Sequence, residues 1–436
     1  MDKVVLTAKE NSRIEDSDIK SALERSLEKF SVGSSGDDSL NRVLIIPPDH
    51  TRSHSYAGTI TAMYYELLKD KAHVDILPAL GTHEPMSEEQ CRAMFGDEIP
   101  LERFIAHNWR NDVVSVGVVP GSFVEKVSDG LLAYDIDVQI NRLIAEGGYD
   151  LMISVGQVVP HEVVGMANYS KNILVGCAGS DMINKTHMLG AVCGMEKAMG
   201  RDHSPVRKVL DYAQENFLNK LPIVYVLTVT VTGESGIQPV GLFIGKGRNV
   251  FEEAVRMSAE NNFTLLDRPI RKAVVYLDPT EFRSTWLGNK AIYRTRMAMA
   301  DDGELIIIAP GVRKFGEDDQ IDALIRKYGY VGSGRINELT AKNDDLRENL
   351  SAAAHLIHGS SEGRFRITYA PGYLSEEEVR GVGFGYMPIS EALARFGPGQ
   401  QADGWNRVTD GEEFFYISNP ALGLWASRER MTENNE

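Results

Sequence analysis

Cysteine is scarce, with three in 436 residues, Cys91, Cys177 and Cys193, and no Cys-x-x-Cys pair among them. That excludes a disulfide framework and a cysteine-based zinc site, and all three read as small core filler in a reducing compartment. Positive charge is short as well: 46 Lys and Arg stand against 62 Asp and Glu, for a formal net charge of −16. Sequence-independent binding to nucleic acid or to anionic lipid needs clustered cations, so neither partner is expected. An anionic substrate would have to be held by a few local cations. No window reaches the ~18 apolar residues of a membrane span. The opening MDKVVLTAKENSRIEDSD offers only a five-residue apolar stretch before charge returns, so no signal peptide is read and a cytoplasmic location is expected. Repeats, low-complexity tracts and Pro-rich linkers are missing too.

What is present is ordinary globular composition, 43% hydrophobic and 25% charged, in a chain long enough for two or three domains at roughly one per 150 residues. Two are expected. Apolar runs of strand length alternate with helical patterns, the signature of α/β layering. RVLIIPP, AHVDILPAL, VVSVGVV, DLMISVG and PIVYVLTVTVT read as strands, and AGTITAMYYELLKDK as a helix. SEEQCRAMFG opens a helix with Ser87 and Gln90 spaced as a capping box. Ser180 or Asp181 caps a helix through INKTHMLGAVCGMEKAM, and SPVRKVLDYAQENFL has Pro in a first helical turn. A second α/β unit starts near RPIRKAVVYLDP and continues through GELIIIAPG, DQIDALIRKYGY, FRITYAPG and the helix beginning SEEEV. The expected architecture is two α/β domains with the active site in the cleft between them. Residues 1–267 form the first, with 410–436 returning to it as a terminal strand, and 268–409 form the second.

Several familiar motifs fail on inspection. HEVVGM begins like a zinc-protease helix, but Gly165 stands where the second His must be. GSSEG at 359–363 matches a nucleophile elbow, yet the last His of the chain is His358, so no triad His follows the Ser. A Gly/Ser-rich turn is the simpler reading. IGKGRN lacks the third glycine of a dinucleotide fingerprint, and there is no P-loop. His355 and His358 stand together at a helix end as a surface metal pair without a third ligand. His107 has either a structural or a cofactor-contacting role.

The remaining polar residues gather at strand ends, where α/β proteins place ligands. Asp49, His50, Thr51 and Arg52 follow VLIIPP directly, His83 lies beyond the next strand and His161 beyond a later one. Lys171 follows His161 by ten positions and His187 follows Lys171 by sixteen. Taken singly, each has a dull explanation: a lone His is more often a hydrogen-bonded core or surface residue, and a Lys in a polar loop is usually just solvated. Their combination carries the information.

In that combination the chain resembles the nickel-dependent lactate racemase family of 2-hydroxyacid racemases and epimerases. The family's D-x-T-R stands here as Asp49 to Arg52, its G-x-H as Gly81 to His83, and its H…K…H run as His161, Lys171 and His187. The likeness runs from about residue 40 to the C-terminus. It implies a nickel-pincer nucleotide as cofactor, a nicotinate-derived ring with two sulfur-bearing arms that hold nickel through S, C and S. It also implies partner enzymes that build the cofactor. By the same resemblance, Lys171 is the lysine that can be joined covalently to the cofactor, and His187 is the protein ligand to nickel. His83 and His161 match the two acid/base histidines, Arg52 the contact to the substrate carboxylate, and Asp49 and Thr51 the cofactor side of the site. Lys290, in STWLGNKAIYRTR, falls at the family's substrate-binding lysine. Where the lactate-acting pattern has Tyr-Gln, this chain has Trp286 and Leu287. A different pocket wall at Trp286 points to a larger 2-hydroxyacid, such as the sugar acid gluconate.

The residue types suit the chemistry. Inverting C2 of a 2-hydroxyacid by direct proton removal means breaking a very weakly acidic C–H bond, whereas hydride removal makes a flat keto acid open to return on either face. The hydroxyl proton then needs a base on each side, and imidazole accepts and donates at neutral pH. Arg52 and Lys290 meet the need for local cations, Arg with a bidentate fork. An imidazole together with sulfur donors suits nickel. Two other readings stay open: a cofactor-free or metal-dependent isomerase or lyase using the two histidines for proton abstraction, and a non-catalytic carboxylate-binding protein.

Overall fold

The computed structural model describes residues 3–9, 12–30, 40–233, 236–408, 411–421 and 423–433. It divides into two compact units, Met1–Thr186 with Gly200–Asn262, and His187–Met199 with Phe263–Glu436.

The first unit is built on a six-stranded sheet in the order Lys3–Thr7, Gly236–Gly245, Ile223–Gly233, Leu151–Gln157, Arg42–Ile46, His73–Ile76. The last four of these run parallel; the Lys3–Thr7 and Gly236–Gly245 strands close one side antiparallel. VLII is a continuous apolar run because its strand is central and covered on both faces, with Val43, Leu44, Ile45 and Ile46 all fully buried. At about 1.5–3 kcal/mol for each fully buried aliphatic side chain, that one strand anchors much of its core. Helices Ala57–Leu68 and Glu88–Phe95 follow the first two parallel strands, and the second carries the expected capping box of Ser87 and Gln90. VVSVGVV is a strand, but it pairs antiparallel with Ile136–Asn141 in a two-stranded ribbon apart from the main sheet.

The topology places the site. In parallel neighbours all C-terminal ends open on one edge, and the registers Ile45↔Ile76 and Ile46↔Ser154 bring three such ends side by side. The segments holding Asp49, His83 and His161 leave from those three ends.

The second unit holds another six-stranded sheet, in the order Gly385–Tyr386, Arg366–Pro371, Met299–Ala309, Ile270–Tyr276, Glu413–Ile417, Gly404–Arg407, parallel except for the last pair. Two expectations are corrected here. The division falls at Asn262 and Phe263 rather than at 267, and His187–Met199 goes with the second unit. The described part of 410–436 does not return to the first domain. Glu413–Ile417 pairs parallel with Ile270–Tyr276, and Leu424–Ser427 pairs with Phe263–Leu266. The cause is apolar on both faces: Phe415 and Ile417 fill one core of the second sheet, Phe414 and Tyr416 the other. Residues 410, 422 and 434–436 lie outside the described residues. No described helix is long and apolar enough to cross a membrane.

Candidate functional site

Asp49 is the hinge of the first strand end. It caps the short 3-10 helix His50–Ser55, accepting from the Thr51 backbone N–H at 3.2 Å and from the Thr51 hydroxyl at 2.6 Å. Its second carboxylate oxygen accepts from His83 Nδ1 at 2.5 Å. The carboxyl is buried, which by itself would push its pKa up, but the His83 ring and the Thr51 hydroxyl hold it well below the usual carboxylate range. With Nδ1–H committed to Asp49, the nitrogen of His83 that remains to exchange a proton is Nε2. The sequence placed Asp49 and Thr51 on the cofactor side. In the structure they spend these hydrogen bonds on each other and on His83.

His161 is presented differently. PHEVVGM is not a helix but a tight antiparallel hairpin, Pro160↔Met166 and His161↔Gly165, with Gly165 at φ 84 where a side chain is disfavoured. The ring is buried, and its Nδ1 accepts the Val163 N–H at 3.1 Å, which puts the proton of the neutral imidazole on Nε2. Glu162 lies 3.8 Å from the same ring.

Lys171 stands in the helical turn Ser170–Leu174, entered through two non-glycine residues in left-handed backbone, Asn168 at φ 65 and Tyr169 at φ 57. Such conformations persist only where the surroundings impose them. Asn172, next to the lysine, donates to the Ile46 carbonyl at 2.9 Å and to Ser154 Oγ at 3.0 Å, pinning the turn to two strand ends. Burial lowers the Lys171 pKa most, the Arg52 and Arg207 guanidinium groups lower it further, and Glu162 and Asp49 oppose them; the net value is about 8. An amine at that value is partly neutral, and so nucleophilic, at physiological pH. These couplings bring Asp49, Arg52, Glu162 and Lys171 into one neighbourhood, with His83 joined through Asp49 and His161 through Glu162.

The remaining candidates belong to the second unit. Lys290 opens the buried helix Lys290–Thr295, 3.5 Å from Glu281 and over the Phe282 ring at 5.2 Å. Trp286 is half-buried and stacked on His355 with ring centroids 4.4 Å apart. His187 is half-buried on the helix Ser180–Cys193. The surface metal pair is corrected: His355 and His358 are both buried, and His355 bonds the hydroxyls of Tyr330 at 2.9 Å and Tyr293 at 3.1 Å. His107 is bonded to the Ala178 carbonyl and to Asn141, both at 3.0 Å, and burial lowers its pKa.

Sequence reasoning missed Glu162, Asn168, Asn172 and Arg207. Only Arg207 carried a signal, a cation on the apolar face of SPVRKVLDYA beside Val206 and Leu210.

Residues 2–200 match the family model described as the lactate racemase N-terminal domain. The match takes in Asp49, Arg52, His83, His161, Lys171 and His187. Over that part, the chain is similar to the lactate racemase family. The lactate racemase of Thermoanaerobacterium thermosaccharolyticum is 27% identical over 209 residues, a match that spans 47% of this chain and 44% of that protein. A Thermotoga maritima protein solved by crystallography superposes with a TM-score of 0.80 at 25% identity, covering 94% of this chain and 100% of that one. The apoprotein of the Thermoanaerobacterium lactate racemase superposes at 0.67 with 17% identity over 93% and 92% of the two chains, a likeness of fold.

Proposed function

We propose that this protein is a 2-hydroxyacid racemase or epimerase that inverts C2 by reversible hydride transfer with a nickel-pincer nucleotide. The observation that carries the reading is the assembly at adjacent strand ends: a carboxylate-oriented imidazole at His83, a guanidinium at Arg52 and a partly neutral amine at Lys171. A solvated lysine with no function would keep its ordinary value and would not be held behind two left-handed residues.

The residues fit the proposed cofactor. Lys171, half-buried, has the depressed pKa of an amine suited to covalent attachment. His187 would be the imidazole ligand to a nickel that brings its own sulfur donors. When bound, the cofactor supplies the hydride acceptor and donor. The chain supplies the rest. Arg52 and Lys290 fix the substrate carboxylate, Arg52 with its fork. His83 Nε2 takes the hydroxyl proton as hydride leaves, and Asp49 stabilises the resulting imidazolium. His161, carrying its proton on Nε2, donates a hydrogen bond to the substrate oxygen from the opposite face; to deliver that proton the ring must first take one up at Nδ1, giving up the Val163 contact. Asp49 and Thr51 are reassigned from cofactor contact to orientation of His83.

Trp286, in place of the lactate-type tyrosine, favours a bulkier substrate such as a sugar acid over lactate. The test is to purify the protein with its cofactor-building enzymes, weigh Lys171-containing peptides for an adduct, assay nickel, and follow optical inversion of lactate and gluconate. The reading predicts adduct, metal and inversion together, with gluconate the better substrate. A loaded protein that inverts no 2-hydroxyacid would overturn it.

A further inference from the structure

The helix Pro205–Ala213 starts from the Ser204 cap and buries Val206, Val209, Leu210 and Ala213. On that face lies Arg207, 0% exposed. A guanidinium buried so completely needs partners for its donors. The two terminal nitrogens of Arg207 find theirs on one short segment: the Met166 carbonyl at 2.5 Å, the Asn168 carbonyl at 3.3 Å and Ser170 Oγ at 3.1 Å, with the Phe251 ring 4.5 Å from the guanidinium carbon, while Nε has no hydrogen-bond partner among the described residues. That segment runs directly into Lys171, and it contains the two left-handed residues, Asn168 and Tyr169. The Tyr169 ring is held at 4.4 Å from Tyr225 and 5.3 Å from Phe251. Left-handed backbone at two successive residues turns carbonyls inward, away from any regular ladder. A planar fork of donors answers that geometry, and an aliphatic core residue of the same volume does not.

We propose that Arg207 is the positioning residue for Lys171, tying the backbone of 166–170 from beneath so that the turn stays left-handed and the amine is presented at the strand ends. This rests on the reading of Lys171 as the functional amine of the site. The charged groups acting on that amine are Arg52, Glu162, Arg207 and Asp49, so Arg207 acts both through the turn and through its charge.

The test needs no cofactor. Unloaded protein is labelled with acetic anhydride across pH 6–11, and acetylation of Lys171 is read by mass spectrometry of its peptide. Wild type is expected to reach half-labelling near pH 8. Arg207→Met is expected to raise that pH by about 1, roughly a tenfold loss of neutral amine at low pH, and Arg207→Lys, which keeps charge but loses the fork, by less. Ser170→Ala removes a single contact and is expected to give a smaller shift of the same sign. A purely structural Arg207 would lower thermal stability and leave the midpoint in place, and that result in folded Arg207→Met overturns the proposal. If Arg207→Met does not fold, an unmoved Ser170→Ala midpoint overturns it instead. A wild-type Lys171 that labels like an exposed lysine would bring down the functional reading of Lys171, and the role of Arg207 with it.

Discussion

Asp49 shows how one residue sets the behaviour of another. Its carboxylate holds His83 by Nδ1, so Asp49→Asn keeps the shape but removes the charge that stabilises the protonated ring. Activity is expected to fall roughly 10²-fold or more, with the acid limb of the rate profile altered. Stability should follow the same charge. The Asp49 pKa is depressed in the fold, so its contribution is fully present above the ordinary carboxyl value near 4 and is lost as pH falls through the lower folded value. Thermal unfolding from pH 2 to 7 should therefore show wild type losing stability below about pH 4 more steeply than Asp49→Asn; parallel curves would contradict this. Lys171 has the opposite sign. Its folded value, about 8, lies below that of an unfolded lysine, so the poorly solvated ammonium costs stability below pH 8, and the cost fades as pH rises from 8 toward 10.5. Lys171→Met should stabilise the unloaded protein at pH 7 by about 1–3 kcal/mol, with the gap closing in alkali. A destabilised variant would show that the amine is not strained there.

At the scale of elements, the turn carrying Lys171 depends on a close approach. A Cβ on Gly156 would stand 2.0 Å from Asn168 Nδ2, so a side chain there would force the Asn168 amide out of its place beside strand Leu151–Gln157. Gly156→Ala should cost about 1–3 kcal/mol and move Lys171 labelling toward that of an ordinary lysine; a variant with wild-type melting and labelling would refute the contact. The same turn marks where sequence reading stopped. Strands such as RVLII, the capped helix after Ser87 and the Pro-led helix after Ser204 were legible because periodicity and capping are local. The residue run from Asp49 to Arg52, with His83, was legible as a strand-end set. The His161 hairpin and the left-handed Asn168 and Tyr169 were not, since nothing in PHEVVGMANYS announces positive φ at Asn and Tyr. That backbone is imposed by Arg207 across 37 to 41 positions of chain.

At the scale of the whole molecule, two α/β units were expected and two are found, but the assignment of the C-terminal strand required sheet pairing rather than pattern. EEFFYI is apolar on both faces, which says that it is central in a sheet and not which sheet. The grouping of Arg52, His83, His161 and Lys171 within the first unit is the arrangement proposed for reversible removal of hydride from C2. The direct test uses the cofactor-loaded protein and a 2-hydroxyacid carrying deuterium at C2, with the inverted product isolated and its label measured. Hydride transfer predicts that the deuterium stays on C2 of the opposite enantiomer. Deuterium replaced by hydrogen from water would mean direct proton abstraction by the histidines and would contradict the proposed mechanism.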